Sequence, residues 1–245
     1  LIFNGGTTML LLPDLYQLCG SCYGSHQNVF AAAFPMEKQL ILFDTGLDAA
    51  DLGIIRDNLL LWGLDSFQIS HVFLTHSHFD HTGNARSFLR NGAQLLIGEE
   101  DADAVENGSA GTIPYCYGVP FPACPVSHRL VDREKINVHG IVVECHQVPG
   151  HTRGSMAYSF LWHGKTVLVT GDFLQTGSDI YTPVLGIRVD EEYCYEEYRK
   201  SLKKMAVFSC DVILPGHFQV CMRGGKRLLG AGYREILVNR GLYKD

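Results

Sequence analysis

The sequence predicts an α+β protein of one domain whose strands carry metal-ligating loops to a common edge. Apolar, β-branched runs alternate with stretches of helical period, and histidine, aspartate and glycine recur just beyond the β-rich runs. The length of 245 residues is enough for one domain, 1–245, with a substantial core.

Residues 9–12 and 28–34 read as strands. Gln39-Leu40-Ile41-Leu42-Phe43 is a stronger one and ends at Asp44-Thr45-Gly46. A carboxylate at a strand end beside glycine suits a loop where backbones crowd, so Asp44 is expected to brace a neighbouring ligand loop; the plainer alternative is a turn. Residues 48–62 read as a helix, because Leu52, Ile55, Leu59 and Trp62 recur at three- and four-residue spacing. The apolar run His71-Val72-Phe73-Leu74-Thr75 follows as a buried strand, then a short helix over 85–90 and a strand over 94–97. Residues 99–106 are acidic with no histidine, which predicts a solvated helix rather than a ligand cluster.

Between the 71–75 strand and the 85–90 helix lies His76-Ser77-His78-Phe79-Asp80-His81, with three imidazoles and a carboxylate within six residues. In an extended loop, side chains two apart project to the same side, so His76 and His78 can share one cation as neutral imidazoles. Asp80 and His81, past the bend, face another direction. One cluster can thus serve two metals roughly 3.5–4 Å apart. Four such groups packed together without a cation would repel or carry a heavy desolvation cost, which disfavours ordinary solvated histidines.

Residues 107–133 replace periodicity with glycine, proline and aromatic residues, as a cover over a site would. Tyr115, Tyr117 and Phe121 either wall a substrate or pack onto the core. In the second half, a strand around Ile141-Val142-Val143 leads through Val148 to Pro149-Gly150-His151. A hairpin around His163-Gly164 ends at Thr170-Gly171-Asp172, and Val212-Ile213-Leu214 runs into Pro215-Gly216-His217. Each candidate ligand follows a β-rich run, which predicts convergence on one sheet edge. Residues 190–208 read as the clearest helix, with Tyr195, Tyr198, Leu202 and Met205 as its apolar stripe, Glu191 and Glu192 early and Lys203 and Lys204 late. A last helix is predicted over 223–239.

The formal charge of −6 and a pI near 6.0 give no general attraction for phosphate backbones, so nucleic acid is not the expected partner. No apolar run approaches the ~18–20 residues that span a bilayer, so no membrane association is expected. The eight cysteines are scattered rather than packed into a small scaffold, which favours reduced thiols and a cytoplasmic location. Cys19-Gly20-Ser21-Cys22 has redox or zinc spacing but no second such pair, and buried or incidental thiols are the default. The sequence carries no signal of oligomeric state; a small-molecule substrate is the expected partner.

The ordered set His76-x-His78-x-Asp80-His81, His151, Asp172 and His217 resembles the metallo-β-lactamase-fold hydrolase superfamily, and with Asp44 the resemblance covers nearly the whole chain. It implies a four-layer αββα sandwich of two mixed β-sheets with metals at one edge. Carried over motif by motif, it implies that His76, His78 and His151 hold a first metal, that Asp80, His81 and His217 hold a second, and that Asp172 bridges them. The all-nitrogen-and-oxygen set is similar to the glyoxalase II and lactonase branches rather than to branches with a cysteine ligand. The chain departs from the pattern at Phe218, where many relatives carry glycine, and this would narrow the pocket. Phe173-Leu174 supplies no tyrosine of the kind some acyl-homoserine lactonases use. No glutathione site is evident beyond the positive charge of Arg223, Lys226 and Arg227, and no RNA-binding segment of the RNA-processing relatives is recognised.

Two divalent cations, zinc by preference on this donor set and manganese or iron otherwise, would lower the pKa of a bridging water from ~15.7 towards ~7. The resulting hydroxide is the expected nucleophile on an ester, thioester or lactone carbonyl, with Asp80 binding metal and passing a proton as the catalytic residue. Two rival readings stand beside this one. One iron on His76, His151 and Asp172 would resemble the persulfide dioxygenases of the same fold, and a non-catalytic metal-binding protein would need no turnover.

Overall fold

The computed structural model describes residues 8–20, 25 and 27–244. In chain order the first half comprises β1 (Met9–Leu12), β2 (Leu15–Cys19), β3 (Val29–Phe34), β4 (Gln39–Phe43), α1 (Ala49–Leu61), β5 (Gln68–Phe73), α2 (Phe79–Thr82), α3 (Ala85–Arg90), β6 (Gln94–Gly98) and α4 (Glu99–Asn107). A 3-10 turn (Ala110–Thr112), α5 (Pro114–Tyr117) and β7 (His128–Leu130) complete it. The second half comprises β8 (Lys135–Val138), β9 (Ile141–Gln147), β10 (Met156–Trp162), β11 (Lys165–Gly171), β12 (Gln175–Thr176), β13 (Pro183–Val184), α6 (Tyr195–Met205), β14 (Val212–Pro215), α7 (Gly225–Val238) and α8 (Arg240–Tyr243).

Strands β1 to β7 form a seven-stranded sheet in sequence order, and a five-stranded sheet runs β14-β11-β10-β9-β8. Both are mixed: β4, β5, β6 and β7 are parallel neighbours, as are β11 and β14, while the remaining pairs are antiparallel. The period of two in β4 shows how the layers form. Leu40 and Leu42 face α1, α3 and α4, whereas Ile41 and Phe43 face the second sheet. Between the sheets, Phe43 stacks on Phe73 and Phe160 at 5.5 and 5.3 Å. On the far side, Leu168 and Ile213 of the second sheet bury against Leu202, Met205, Leu228 and Ile236 of α6 and α7. The result is the expected order helix, sheet, sheet, helix.

Strands β4 and β5 are parallel, β11 and β14 are parallel, and β9 runs the same way as β11 because β10 is antiparallel to both. Their carboxyl ends therefore share an edge, and the loops after β4, β5, β9, β11 and β14 meet there. The hairpin at His163-Gly164 is a two-residue turn whose φ values of 44° and 76° are both positive, the geometry that matches strand twist. Sequence reading missed β2, β7, β8 and the small β12–β13 pair, which are short or polar.

Two expectations need correction. The helix predicted over 190–208 begins at Tyr195, with Glu196 and Glu197 rather than Glu191 and Glu192 in its first turn. Residues 190–194 form a loop held by the Asp190 side chain, which accepts from Glu192 N at 2.8 Å. The acidic helix α4 is not solvated throughout, since Asp101 is fully buried. Of the two uses left open for Phe121, the structure selects core packing, in edge-to-face contact with Phe79 at 5.1 Å. Cys22 lies outside the described residues. Cys19 is buried beside Asp51, and burial pushes its thiol up to about 12, as suits a packing residue.

Candidate metal centre

The loop after β5 takes its shape from two carboxylates distant in sequence. Asp44, in a left-handed conformation at φ 61°, accepts from Thr75 N at 2.7 Å, Thr75 Oγ1 at 2.9 Å and His81 Nδ1 at 2.9 Å. It braces the loop as its strand-end position predicts. Asp101 accepts from Ser77 N at 2.8 Å, Thr152 Oγ1 at 2.8 Å and Gly154 N at 2.6 Å. One buried side chain on α4 thus ties the His76–His78 loop to the His151 loop. The His217 loop is tied to the first sheet by Asn28, whose Nδ2 donates to Pro215 O at 2.8 Å and Phe218 O at 3.1 Å.

These braces gather all seven predicted residues. His76, His78 and His151 each place one donor atom within 4.8 Å of the others, as do Asp80, His81 and His217, and also His76, His81 and Asp172. His78 Nδ1 lies 3.1 Å from His151 Nε2. On the other side His81 Nε2 is 3.3 Å from His217 Nε2 and 3.6 Å from Asp80 Oδ2, and His217 Nε2 is 3.3 Å from Asp80 Oδ2. Asp172 spans the two groups: Oδ1 is 3.4 Å from both His81 Nε2 and His217 Nε2, and Oδ2 is 3.6 Å from His151 Nε2.

The donor set fits divalent cations. A tetrahedron with bonds of ~2.0–2.1 Å has edges of about 3.3–3.4 Å, close to these donor separations. His76 Nε2 and Asp172 Oδ1 are buried without a hydrogen-bond partner, an arrangement that costs free energy unless something binds there. Second contacts leave the inward nitrogens as lone-pair donors: His76 Nδ1 meets Thr75 Oγ1 at 3.1 Å and His151 Nδ1 meets Ile187 O at 3.1 Å.

Burial opposes charge throughout the cluster, but its outcome differs by side. Burial and the neighbouring rings hold His76 well below the ordinary histidine range and His151 down to about 4. Burial also disfavours a charged His81, yet Asp80, Asp172 and Asp44 outweigh it and raise that ring well above its usual value. His217 rises to about 10 in the same way, with Asp172 the main cause against burial. Burial would lift the Asp80 and Asp172 carboxyls, but His81 and His217 hold both well below the usual range. In the first triad His76 and His151 are therefore held as neutral imidazoles, whereas the second triad is a set of paired charges.

A cleft of about 670 Å³, lined by Tyr115, Arg153, Arg188, Asp190 and Glu192 among others but by none of the seven donors, reaches the cluster through Asp190, 3.5 Å from His78. Tyr117 packs edge-to-face on Phe79 at 5.3 Å; burial and the nearby Asp80 carboxylate push its pKa up. Phe218 stands next to His217 with ring centroids 6.3 Å apart, in a left-handed conformation at φ 62° that a glycine would adopt without strain. Among Arg223, Lys226 and Arg227, the last lies over the Tyr181 ring at 4.1 Å. Sequence reading missed Asp101 and Asp190; the latter stands 3.5 Å from His78 Nε2. Their only local signal is acidity, which an exposed residue shares.

The metallo-beta-lactamase superfamily model matches residues 26–217. Hydroxyacylglutathione hydrolase of Aeromonas salmonicida is 30% identical over 133 residues, which are 54% of this chain and 42% of that protein. Atrochrysone carboxyl ACP thioesterase of Aspergillus fumigatus is 30% identical over 151 residues, 62% of this chain and 39% of that protein. The chain thus spans about two fifths of the length of these two relatives. Among solved structures, BJP-1, a subclass B3 metallo-beta-lactamase of Bradyrhizobium japonicum, matches with a TM-score of 0.74 at 20% identity, covering 95% of this chain and 92% of that one. FEZ-1 of Legionella gormanii matches with a TM-score of 0.72 at 19% identity, covering 95% and 94%. At such identity the likeness is one of fold.

Proposed function

The chain belongs to the metallo-beta-lactamase superfamily, and from that premise we propose that it is a binuclear metal-dependent hydrolase of acyl substrates, thioesters first among them. The observation that carries the reading is Asp172, whose two oxygens reach the two donor triads separately. In this reading His76, His78 and His151 would hold one cation and Asp80, His81 and His217 the other, with Asp172 available to both. Zinc is the preferred ion for such nitrogen-rich sites. The preference for a thioester over a lactone or simple ester rests on the relatives named as thioesterase and hydroxyacylglutathione hydrolase.

Cations held there would activate water at neutral pH and polarise a carbonyl oxygen. The chain's own groups do the rest. Asp80, 3.3 Å from His217 Nε2, would pass a proton only once bound cations take the place of the His81 and His217 charges that now hold its carboxyl low. The adjoining cleft would hold the acyl or thiol portion, with residues 107–133 supplying its Tyr115 wall as a partial cover. No Ser or Cys nucleophile is required. The scattered free thiols fit a cytoplasmic setting.

The iron dioxygenase reading needs only His76, His151 and Asp172, and leaves Asp80, His81 and His217 as a second donor set without a purpose. Elemental analysis of the purified protein separates the readings: about two zincs per chain supports hydrolysis, whereas one iron with oxygen uptake on glutathione persulfide overturns it. Fully loaded protein inactive on a panel of thioesters, esters and lactones would leave only metal binding. Asp172→Ala should abolish hydrolysis and lower metal content, and wild-type rate and loading in that variant would refute the bridging role.

A further inference from the structure

We infer that Asp190 is a positioning residue for the first triad, holding the ring proton of His78 on Nε2 so that Nδ1 stays a bare ligand atom. This rests on the metal-centre reading above and adds to it a carboxylate from a loop that carries none of the seven donors.

His78 Nε2 and Asp190 Oδ2 are both buried without a hydrogen-bond partner, and they lie 3.5 Å from each other. The other carboxylate oxygen, Oδ1, accepts from Glu192 N at 2.8 Å and so fixes the plane in which Oδ2 meets the ring. The opposite ring nitrogen, Nδ1, points inward, 3.1 Å from His151 Nε2. A neutral imidazole carries one proton, and whichever nitrogen holds it cannot bind a cation. An acceptor facing Nε2 draws the proton there.

Three residues away, the Ile187 carbonyl does the same for His151, meeting Nδ1 at 3.1 Å and leaving Nε2 to face the cluster. One short stretch, 187–190, therefore sets the tautomers of two of the three rings in the triad. The stretch is itself held in place, because Gly186 N donates to the Tyr198 hydroxyl at 2.7 Å. A carboxylate is a stronger acceptor than a carbonyl, so the Asp190 contact should contribute the larger share to metal affinity.

The test is zinc titration against a competing chromophoric chelator, on wild type, Asp190→Ala and the charge control Glu196→Gln, with cobalt(II) absorption spectra alongside. Asp190→Ala should weaken one of two zincs by roughly 10–100-fold, spare the other, and alter the cobalt bands of one site only. Its metal-free form should keep a cooperative urea transition, shifted by no more than the loss of the single bond from Glu192 N, and Glu196→Gln should bind both zincs normally. Unchanged zinc affinities in Asp190→Ala would overturn the assignment, and so would equal weakening of both sites together with a larger fall in the metal-free midpoint. A wild-type protein that takes up no zinc would instead sink the metal-centre reading itself.

Discussion

Gly216 lies between the end of β14 and His217, where a Cβ would come within 2.5 Å of Asp172 Oδ1 and 2.7 Å of His81 Cε1. Neither neighbour can yield without leaving the donor cluster. Gly216→Ala should therefore lose the second metal before it loses the fold, read as a fall from two zincs to about one with near-native circular dichroism. His146 offers a separate test away from the cluster. Its ring is buried against Phe208 and meets Ser159 Oγ at 2.8 Å, and burial lowers its pKa. A histidine depressed in the folded state contributes stability that is complete above the unfolded pKa of about 6.5 and is lost as pH falls through the folded value. His146→Gln should flatten the loss of stability between pH 7 and pH 5, measured as the difference in urea midpoints. A parallel decline in variant and wild type would contradict this.

Helix α4 acts at the next scale as a strut between two ligand loops, through the three hydrogen bonds that Asp101 accepts. Truncation would leave Ser77 N, Thr152 Oγ1 and Gly154 N buried without their acceptor. Asp101→Ala should cost about 3 kcal/mol of stability and weaken metal binding, since each lost partner costs roughly 1–3 kcal/mol and the relief of a buried carboxylate offsets part of it. A midpoint within error of wild type would show that water replaces the carboxylate. Helix α6 has a comparable role on the other side. Its Tyr198 hydroxyl donates to Phe173 O at 2.7 Å and accepts from Gly186 N at 2.7 Å, which couples the loops after β11 and β13 to one buried ring. A third tie joins the sheets far from the candidate metal centre: His139, on the β8–β9 turn, meets Ser70 Oγ of β5 at 2.8 Å through Nε2 and bonds Glu37 through Nδ1.

Across the whole molecule, the candidate metal centre joins loops from both sheets, so cations that bind there should also hold the sandwich together. Binding to the folded state alone adds about 2.7 kcal/mol at a free concentration of 100 times Kd. For a chain of this size that corresponds to roughly 5–10 °C in Tm. Chelator-treated protein should melt lower by about that amount and recover on zinc addition; identical melting after verified metal removal would mean that the loops are rigid without cations. No helix among the described residues is long and apolar enough to cross a membrane.

The sequence by itself determined the strands that end at the site, the periodic helix α1, the short helix α3, and the histidine and aspartate cluster from which the seven proposed donors are drawn. These are local facts: a β-branched run or a His-x-His-x-Asp-His spacing needs no distant residue to be recognised, and strand ends with ligands imply a shared edge. It also placed Asp44 correctly, because a carboxylate beside glycine at a strand end has few other uses. Only the tertiary structure decided that Asp101 is buried among three donors while its helix neighbours Glu99 and Glu100 stay exposed, and that Asp190 stands in a loop against His78 rather than in the first turn of α6. The reason is that burial, unlike periodicity, depends on which surfaces meet across the sandwich, and consecutive carboxylates on one helix can be solvent-facing or structural according to that meeting alone.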